Sequence, residues 1–295
     1  MAADPPQPLI IANPMSRIEQ TGQIRAGVTL AALQLQSLLD PLDYRVLLCH
    51  ALQLSRVGLI TQSERALTEQ EAQQFAALVQ RRLDGEPVAY MVGSREFYGL
   101  PFEVNEAVLI PRPDTELLVE LTIERLPPRG AALDMGTGSG AIAVSVAHSR
   151  PDASVTALDV SPQALAVARR NATANGAHVS FLQSDWYGAL DLQQRFAVIA
   201  SNPPYIASGD RHLSEGDLRF EPVGALTDHA DGLSALRNII AGAPRHLEPG
   251  GWLLMEHGYD QAAAVRELLS TQGWLEVQSW TDLAGIERVS GGRLA

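Results

Sequence analysis

The chain has 295 residues, 46% of them hydrophobic, and a formal net charge of −12, enough for one large domain and a smaller one. Every basic residue is arginine, which excludes a Walker A lysine, a kinase lysine and a Schiff-base lysine. The lone Cys49 excludes an internal disulfide and a cysteine-rich zinc site, and the histidines show no His-x-x-x-His spacing.

The acidic balance has a second consequence. Arginines cluster only at Arg81-Arg82 and Arg169-Arg170, so stable nucleic-acid binding is not expected, and a basic protein partner suits the field better. No apolar run approaches the ~20 residues of a membrane span. The stretch from Met1 to Gln20 lacks the basic and apolar regions of a signal peptide. The expectation is a cytoplasmic protein with no membrane segment and no metal.

In chain order, residues 1–24 are proline-rich without hydrophobic period and read as a mobile tail. Residues 25–85 read as a small helical bundle. Leu30, Leu33, Leu38 and Leu39 recur at near-helical spacing before Pro41, and Thr68 with Glu71 fits a capping box. This bundle carries no catalytic constellation and reads as a structural or substrate-docking module. Gly85 to Gly93 breaks the helical pattern, and Glu96 to Val104 alternates and turns like a hairpin, so residues 86–109 read as a β-hairpin linker. Asp114 or Thr115 is placed to cap a helix from Leu117 to Leu126. Arg112, held between two prolines, is stiffly presented.

From there strand and helix alternate. Strands are expected at Ala131 to Met135, Ser154 to Asp159, Val179 to Gln183, Phe196 to Ser201 and Trp252 to Glu256. Helices are expected at Ala141 to His148, Ser161 to Asn175, Leu233 to Leu247 and Asp260 to Leu269. Pro249-Gly250-Gly251 is expected to end the third of these helices. Trp274 to Thr281 and Glu287 to Arg293 are placed to close the sheet as an antiparallel pair. This is a doubly wound α/β layout.

Four constellations carry chemistry. The turn Gly136-Thr137-Gly138-Ser139-Gly140 follows the first strand, where glycines let a ligand approach the backbone at a helix N-terminus. Asp159 ends the next strand, where an acidic side chain accepts from ribose hydroxyls. Together they point to a nucleoside-containing cofactor; a dinucleotide also suits the glycine spacing. Asp185-Trp186 follows the third strand, placed to meet an exocyclic amine and a base face, or else to serve a turn and the core. Asn202-Pro203-Pro204-Tyr205 ends the fourth strand, because two prolines stop a ladder at once. That loop offers an amide, stiff carbonyls and an aromatic ring to a small planar polar group.

These four constellations resemble class I S-adenosylmethionine-dependent methyltransferases, and the Asn-Pro-Pro-Tyr signature resembles those that methylate planar nitrogens. Further stretches fall in order: Gly85 to Tyr90, Gly93 to Phe97, Ile110 to Glu116, Arg219 to Pro222 and Glu256 to Gly258. With them the chain resembles the release factor glutamine methyltransferase family (PrmC, also called HemK) from about residue 25 onward. The stretch Arg112 to Glu116 separates it from the ribosomal-protein relative PrmB.

The resemblance implies a Rossmann-like, seven-stranded doubly wound sheet over residues 110–295. It implies methyl transfer from S-adenosyl-L-methionine to the glutamine amide of the Gly-Gly-Gln loop in class-1 peptide chain release factors, with S-adenosyl-L-homocysteine as product. It implies Asn202, Pro203 and Tyr205 as catalytic residues, and those three with Pro204 and Arg112 as substrate contacts. Gly136 to Gly140, Asp159, Asp185, Trp186 and Asn202 would hold the cofactor. The protein is expected to act as a monomer. A ribosomal-protein glutamine methyltransferase and a nucleic-acid methyltransferase acting on adenine N6 or guanine N2 remain open. So do an NAD-dependent oxidoreductase and a binding protein that keeps only the cleft.

Overall fold

The computed structural model of the protein describes residues 23–35, 39–214 and 216–295. The expected tail thus falls outside the described residues except for its last two positions, and so does Leu38. The chain divides into two compact units, Met1–Val92 and Gly93–Ala295.

The first unit is helical, with helices Leu30–Gln34, Pro41–Leu52, Arg56–Thr61, Glu69–Leu83 and Val88–Val92. Local chemistry sets their starts. Asp40 caps the second helix with Pro41 in its first turn, and Thr68 and Glu71 form a reciprocal capping box on the fourth. Leu33, Leu47, Leu48, Phe75 and Val79 are wholly buried in one core, each apolar side chain contributing on the order of 1.5–3 kcal/mol. The expected break at Gly85 to Gly93 is corrected in part. Val88–Val92 is a helix, and Met91 buries into the same core, because Val88, Met91 and Val92 share one helical stripe.

The second unit opens with a hairpin, β1 (Ser94–Phe97) and β2 (Leu100–Glu103), closed by Tyr98-Gly99 with both residues at positive φ. A seven-stranded sheet follows. Its strands are β3 (Ala131–Met135), β4 (Ser154–Asp159), β5 (Val179–Gln183), β6 (Phe196–Ser201), β7 (Leu247–Glu256), β8 (Leu275–Thr281) and β9 (Glu287–Arg293). The spatial order is β5-β4-β3-β6-β7-β9-β8. All neighbours are parallel except β7–β9 and β8–β9, so the doubly wound layout with a final antiparallel pair holds.

Helices cover both faces. Glu116–Arg125 and Ala141–Ser149 share one core with the sheet, and Ser234–Gly242 and Ala262–Thr271 share the other. That is why β6 is buried along its whole length and reads as a continuous apolar run. The chain leaves β3 toward β4 and β5, then returns to β6 on the other side. The strand order therefore reverses between β3 and β6, and a crevice at their C-terminal ends is where such sheets take ligands.

Two expectations are corrected here. The helix from Ser234 ends at Gly242, followed by a tight turn Ala243–Arg245 containing Pro244. Strand β7 already begins at Leu247, with the pairing to β6 shifting register between Phe196 and Val198. Pro249-Gly250-Gly251 therefore punctuates a bulged strand rather than a helix end. The expected cap of the Glu116–Arg125 helix is also absent: neither Asp114 nor Thr115 makes a side-chain cap bond. Asp114 instead meets Arg288 at 3.3 Å, and the Thr115 hydroxyl turns toward β6.

Candidate active site

The turn after β3 is shaped by Asp134, which is buried at the strand end. One of its oxygens accepts from the Thr137 hydroxyl at 2.6 Å and from the Ala143 amide at 3.1 Å. The other oxygen has no partner, and burial pushes the carboxyl up to about 7. Gly136 and Gly138 sit at positive φ, and a Cβ added to either would meet nothing within 4 Å. They border open space. Gly140 differs: an added Cβ would lie 3.1 Å from the Ala168 Cβ and 3.2 Å from a Val144 methyl, so this glycine admits a neighbouring helix. The buried Asn171 donates to the Ser139 carbonyl at 2.8 Å and accepts from the Glu103 amide at 2.7 Å, which ties the turn to β2.

Asp159 ends β4 beside this turn. Its Oδ2 accepts from the Gly138 amide and its Oδ1 from the Ser161 amide, both at 2.9 Å. Burial raises its carboxyl, and the backbone donors of Ser161, Gly138 and Val160 oppose the rise. The carboxylate keeps acceptor capacity for a further donor. After β5, Trp186 stands at φ 47°, an unfavourable angle for a bulky residue. The Ser184 hydroxyl holds it there by donating to the Trp186 carbonyl at 2.7 Å.

The loop after β6 is anchored from behind. The Ser201 hydroxyl donates to the Met135 carbonyl at 2.8 Å, locking the ends of β6 and β3 together. Asn202 Nδ2 donates to Thr115 Oγ1 at 3.2 Å, which leaves Asn202 Oδ1 as the free end of the amide. Gln261 Nε2 donates to the Tyr205 carbonyl at 3.0 Å, while Gln261 Oε1 accepts from the Gly258 amide at 2.9 Å. The Tyr205 hydroxyl runs back to Glu256 Oε1 at 3.5 Å. Burial, then the Glu256 charge, raises its pKa well above the ordinary tyrosine range.

Glu256, at the end of β7, is buried, and its Oε2 has no partner. Burial pushes its carboxyl up to about 7; a hydrogen-bonding interaction with the Thr115 hydroxyl opposes this, the Asp114 charge adds to it, and Arg288 and Tyr205 oppose it. The carboxylate of Glu221 is likewise buried. It accepts from the Ile110 amide at 3.0 Å and forms an ion pair with Arg112. That pairing joins the Ile110 to Arg112 segment to the Pro222 to Ala225 segment.

These pieces enclose one cavity of ≈ 340 Å³. Gly136, Thr137, Gly138, Ser139, Asp159, Asp185, Trp186, Asn202, Pro203, Pro204 and Arg112 all line it. Of the expected site residues, Gly140 and Tyr205 do not: Gly140 lies behind the turn against Ala168, and the Tyr205 hydroxyl is directed at Glu256. Thr115 and Pro222 line the cavity as well, and reasoning from the sequence had given Thr115 only a cap role. The contacts of Glu221, Glu256 and Gln261 were also not foreseen. Their one sequence signal was that Glu221 and Glu256 stand in stretches that carried the family resemblance. Among the described residues, no group of three or more His, Cys, Asp or Glu could hold a metal ion, and no helix is long and apolar enough to cross a membrane.

The PrmC N-terminal domain family matches residues 29–93, and the Methyltransferase small domain family matches residues 113–216. The release factor glutamine methyltransferase of Burkholderia pseudomallei is 56% identical over 274 residues, covering 90% of this chain and 96% of its own. That of Bordetella pertussis is 54% identical over 258 residues, covering 87% and 96%. In fold, a methyltransferase from Pyrococcus furiosus superposes with a TM-score of 0.52 at 21% identity, over 74% of this chain and 98% of its own. The chain belongs to the release factor glutamine methyltransferase family.

Proposed function

We propose that this protein transfers the methyl group of S-adenosyl-L-methionine to the side-chain amide nitrogen (N5) of the glutamine in the Gly-Gly-Gln loop of class-1 peptide chain release factors. S-adenosyl-L-homocysteine is the product. One observation carries the reading: a single cavity is lined both by the glycine turn with Asp159 and by Asn202-Pro203-Pro204. Cofactor and acceptor amide then share one enclosure. We further propose that the helical unit docks the release factor, that the enzyme works in the cytoplasm as a monomer, and that nucleic acid is not its substrate.

The residues present suit the cofactor. Gly136 and Gly138 expose backbone to open space, and Asp159 keeps acceptor capacity at the cavity wall. Trp186 and Asp185 offer a flat face and a carboxylate on the side of β5. The bound cofactor supplies an electrophilic methyl group on a sulfonium centre.

The protein's part is positioning. A glutamine amide nitrogen is a weak nucleophile, because its lone pair is delocalised into the carbonyl. Asn202 Oδ1 and the Pro203 carbonyl each accept one of its N–H groups, aiming the nitrogen and favouring pyramidal geometry as positive charge develops. Pro204 stiffens the loop. Oriented approach of this kind accounts for roughly 7–11 kcal/mol of barrier in well-aligned reactions. The methylated nitrogen is acidic, so no strong base has to act before transfer. Arg112 lines the same cavity and is itself fixed by Glu221. Tyr205 contributes from behind, through Glu256, rather than as a wall of the cavity.

The test is transfer of labelled methyl to a purified class-1 release factor, beside a version whose loop glutamine is replaced. Label on the intact loop alone supports the reading. Label on both proteins, or on RNA and neither protein, overturns it.

A further inference from the structure

The Asn202-Pro203-Pro204-Tyr205 loop has few backbone groups with which to hold itself. Pro203 and Pro204 carry no N–H, so neither can tie the loop down by donation. Its near end is locked where the Ser201 hydroxyl meets the Met135 carbonyl. Its far end is held at one junction, by Gln261.

Gln261 Nε2 donates to the Tyr205 carbonyl at 3.0 Å and to the Gly232 carbonyl at 3.2 Å, and Gln261 Oε1 accepts from the Gly258 amide at 2.9 Å. These partners allow the side chain one orientation, since carbonyls only accept and a backbone amide only donates. Next to the clamp, the Ile206 amide donates to the Leu226 carbonyl at 3.0 Å, and Ile206 bridges Thr227 in parallel. Gly232 shows how closely the parts meet. It is buried at φ +80°, and a Cβ built on it would stand 2.5 Å from the Tyr205 carbonyl oxygen and 2.9 Å from Gln261 Nε2.

Gln261 is itself braced. The Gly258 carbonyl accepts from the Gln261 amide at 3.0 Å and from His257 Nδ1 at 2.9 Å. Nδ1 therefore carries the imidazole proton. Burial lowers the His257 pKa and keeps the ring neutral, so Nε2 accepts from the Ser290 hydroxyl at 2.7 Å. The stretch Glu256-His257-Gly258 thus leads from the sheet to the clamp.

We propose that Gln261 is a positioning residue for methyl transfer, which clamps the far end of the loop and so sets where the Pro203 carbonyl points. This rests on the reading that Asn202 and the Pro203 carbonyl align the acceptor amide. Only Pro204, with its locked φ, separates that carbonyl from the clamped Tyr205, so a displacement at Tyr205 is passed on rather than absorbed. Gln261 does not line the cavity, and its effect reaches the chemistry through the loop.

The test uses the full-length enzyme with Gln261→Leu and Gln261→Glu. Leucine removes all three side-chain bonds. Glutamate keeps an oxygen for Gly258 and sets another against the two carbonyls. The Gln261 side chain makes no cap bond to the helix Ala262–Thr271, so both variants keep that helix start. Methyl transfer is measured at saturating cofactor and varied release factor. Both variants are expected to lower kcat roughly ten- to hundredfold, as a displacement on the order of 1 Å does. KM for the release factor and cofactor affinity by calorimetry are expected to stay within about threefold of wild type. Hydrogen exchange at the Ile206 amide is expected to quicken roughly tenfold as the clamp is lost.

A wild-type kcat in Gln261→Leu overturns the positioning role. So does a wild-type kcat in Gln261→Glu beside a slow Gln261→Leu, because the bond to Gly258 would then be the one that matters. Cofactor affinity that falls as far as kcat also overturns it, since the cleft rather than the loop would have changed. Unchanged Ile206 exchange overturns the clamp whatever the substrate. A wild-type enzyme that transfers nothing to a release factor overturns the proposed function instead, and that is seen before any variant is compared.

Discussion

Removing the Glu221 carboxylate tests how the wall of the cavity is held. Its side chain is fully buried, accepts from the Ile110 amide at 3.0 Å and pairs with Arg112, whose side chain is 34% exposed. Glu221→Ala leaves the Ile110 N–H without a partner, which costs about 1–3 kcal/mol. The loss of the ion pair adds little beyond that, because a third of the Arg112 side chain already reaches water and the guanidinium can be solvated; for exposed pairs the contribution is about 0–1 kcal/mol. The sum is about 1–4 kcal/mol, and in a domain of this size each kcal/mol moves Tm by roughly 2–4 °C. Glu221→Gln keeps an acceptor for Ile110 and is expected to lose less than half as much. Pro222, Gly224 and Ala225 belong to the same wall, so cofactor affinity falls in step with stability. Thermal unfolding and calorimetric titration of the two variants check this. Equal Tm and equal affinity in Glu221→Ala and wild type would refute the argument that this pair holds the wall.

Further outcomes follow from the same geometry. Asn202→Ala is expected to lower the transfer rate about 10²–10³-fold, as loss of one preorganised hydrogen-bonding partner does elsewhere, with Tm nearly unchanged; single-turnover kinetics measure it. Gly140→Ala forces a methyl against Ala168 and Val144 at 3.1–3.2 Å and is expected to destabilise the fold by about 1–3 kcal/mol. Gly136→Ala meets open space but puts a side chain at φ +71°, so it is expected to cost about 1–2 kcal/mol of stability as well as to weaken cofactor binding; comparing denaturation with titration separates the two. Burial raises the Glu256 carboxyl in the folded state to about 7, above its unfolded value of about 4.3. The stability it contributes is therefore fully present below the unfolded value and is lost as pH rises through about 7. The stability of wild type relative to Glu256→Gln is thus expected to fall from acid toward neutral pH in urea titrations. A flat or rising difference would contradict the burial argument.

Much of this was legible because the relevant signals are local. The apolar run Phe196 to Ala200 stopped by two prolines placed a loop at a strand end. The glycine turn and Asp159 each follow a strand that reads as one. Ser161 and Pro162 marked a helix start that the structure keeps. The illegible part is long-range. Asn202 meets Thr115 across 87 positions, and Arg112 meets Glu221 across 109. No periodicity reports such pairs. Thr115 read as a cap because its neighbours permit one, and tertiary contacts took its hydroxyl instead. Pro249-Gly250-Gly251 read as a helix stop for the same reason: the residues allow both, and pairing of Leu247 with Phe196 decides for a bulged strand. The path of the Tyr205 side chain depends on Glu256, which lies 51 positions away.

The central claim is that the acceptor is an amide nitrogen aligned by Asn202. The most direct measurement is to digest a release factor after reaction with labelled cofactor, locate the label by tandem mass spectrometry, and hydrolyse the labelled peptide in acid. The account predicts label on the glutamine of the Gly-Gly-Gln loop, released as labelled methylamine with glutamate left behind. Label on another residue, or on an oxygen that yields methanol instead, would contradict it.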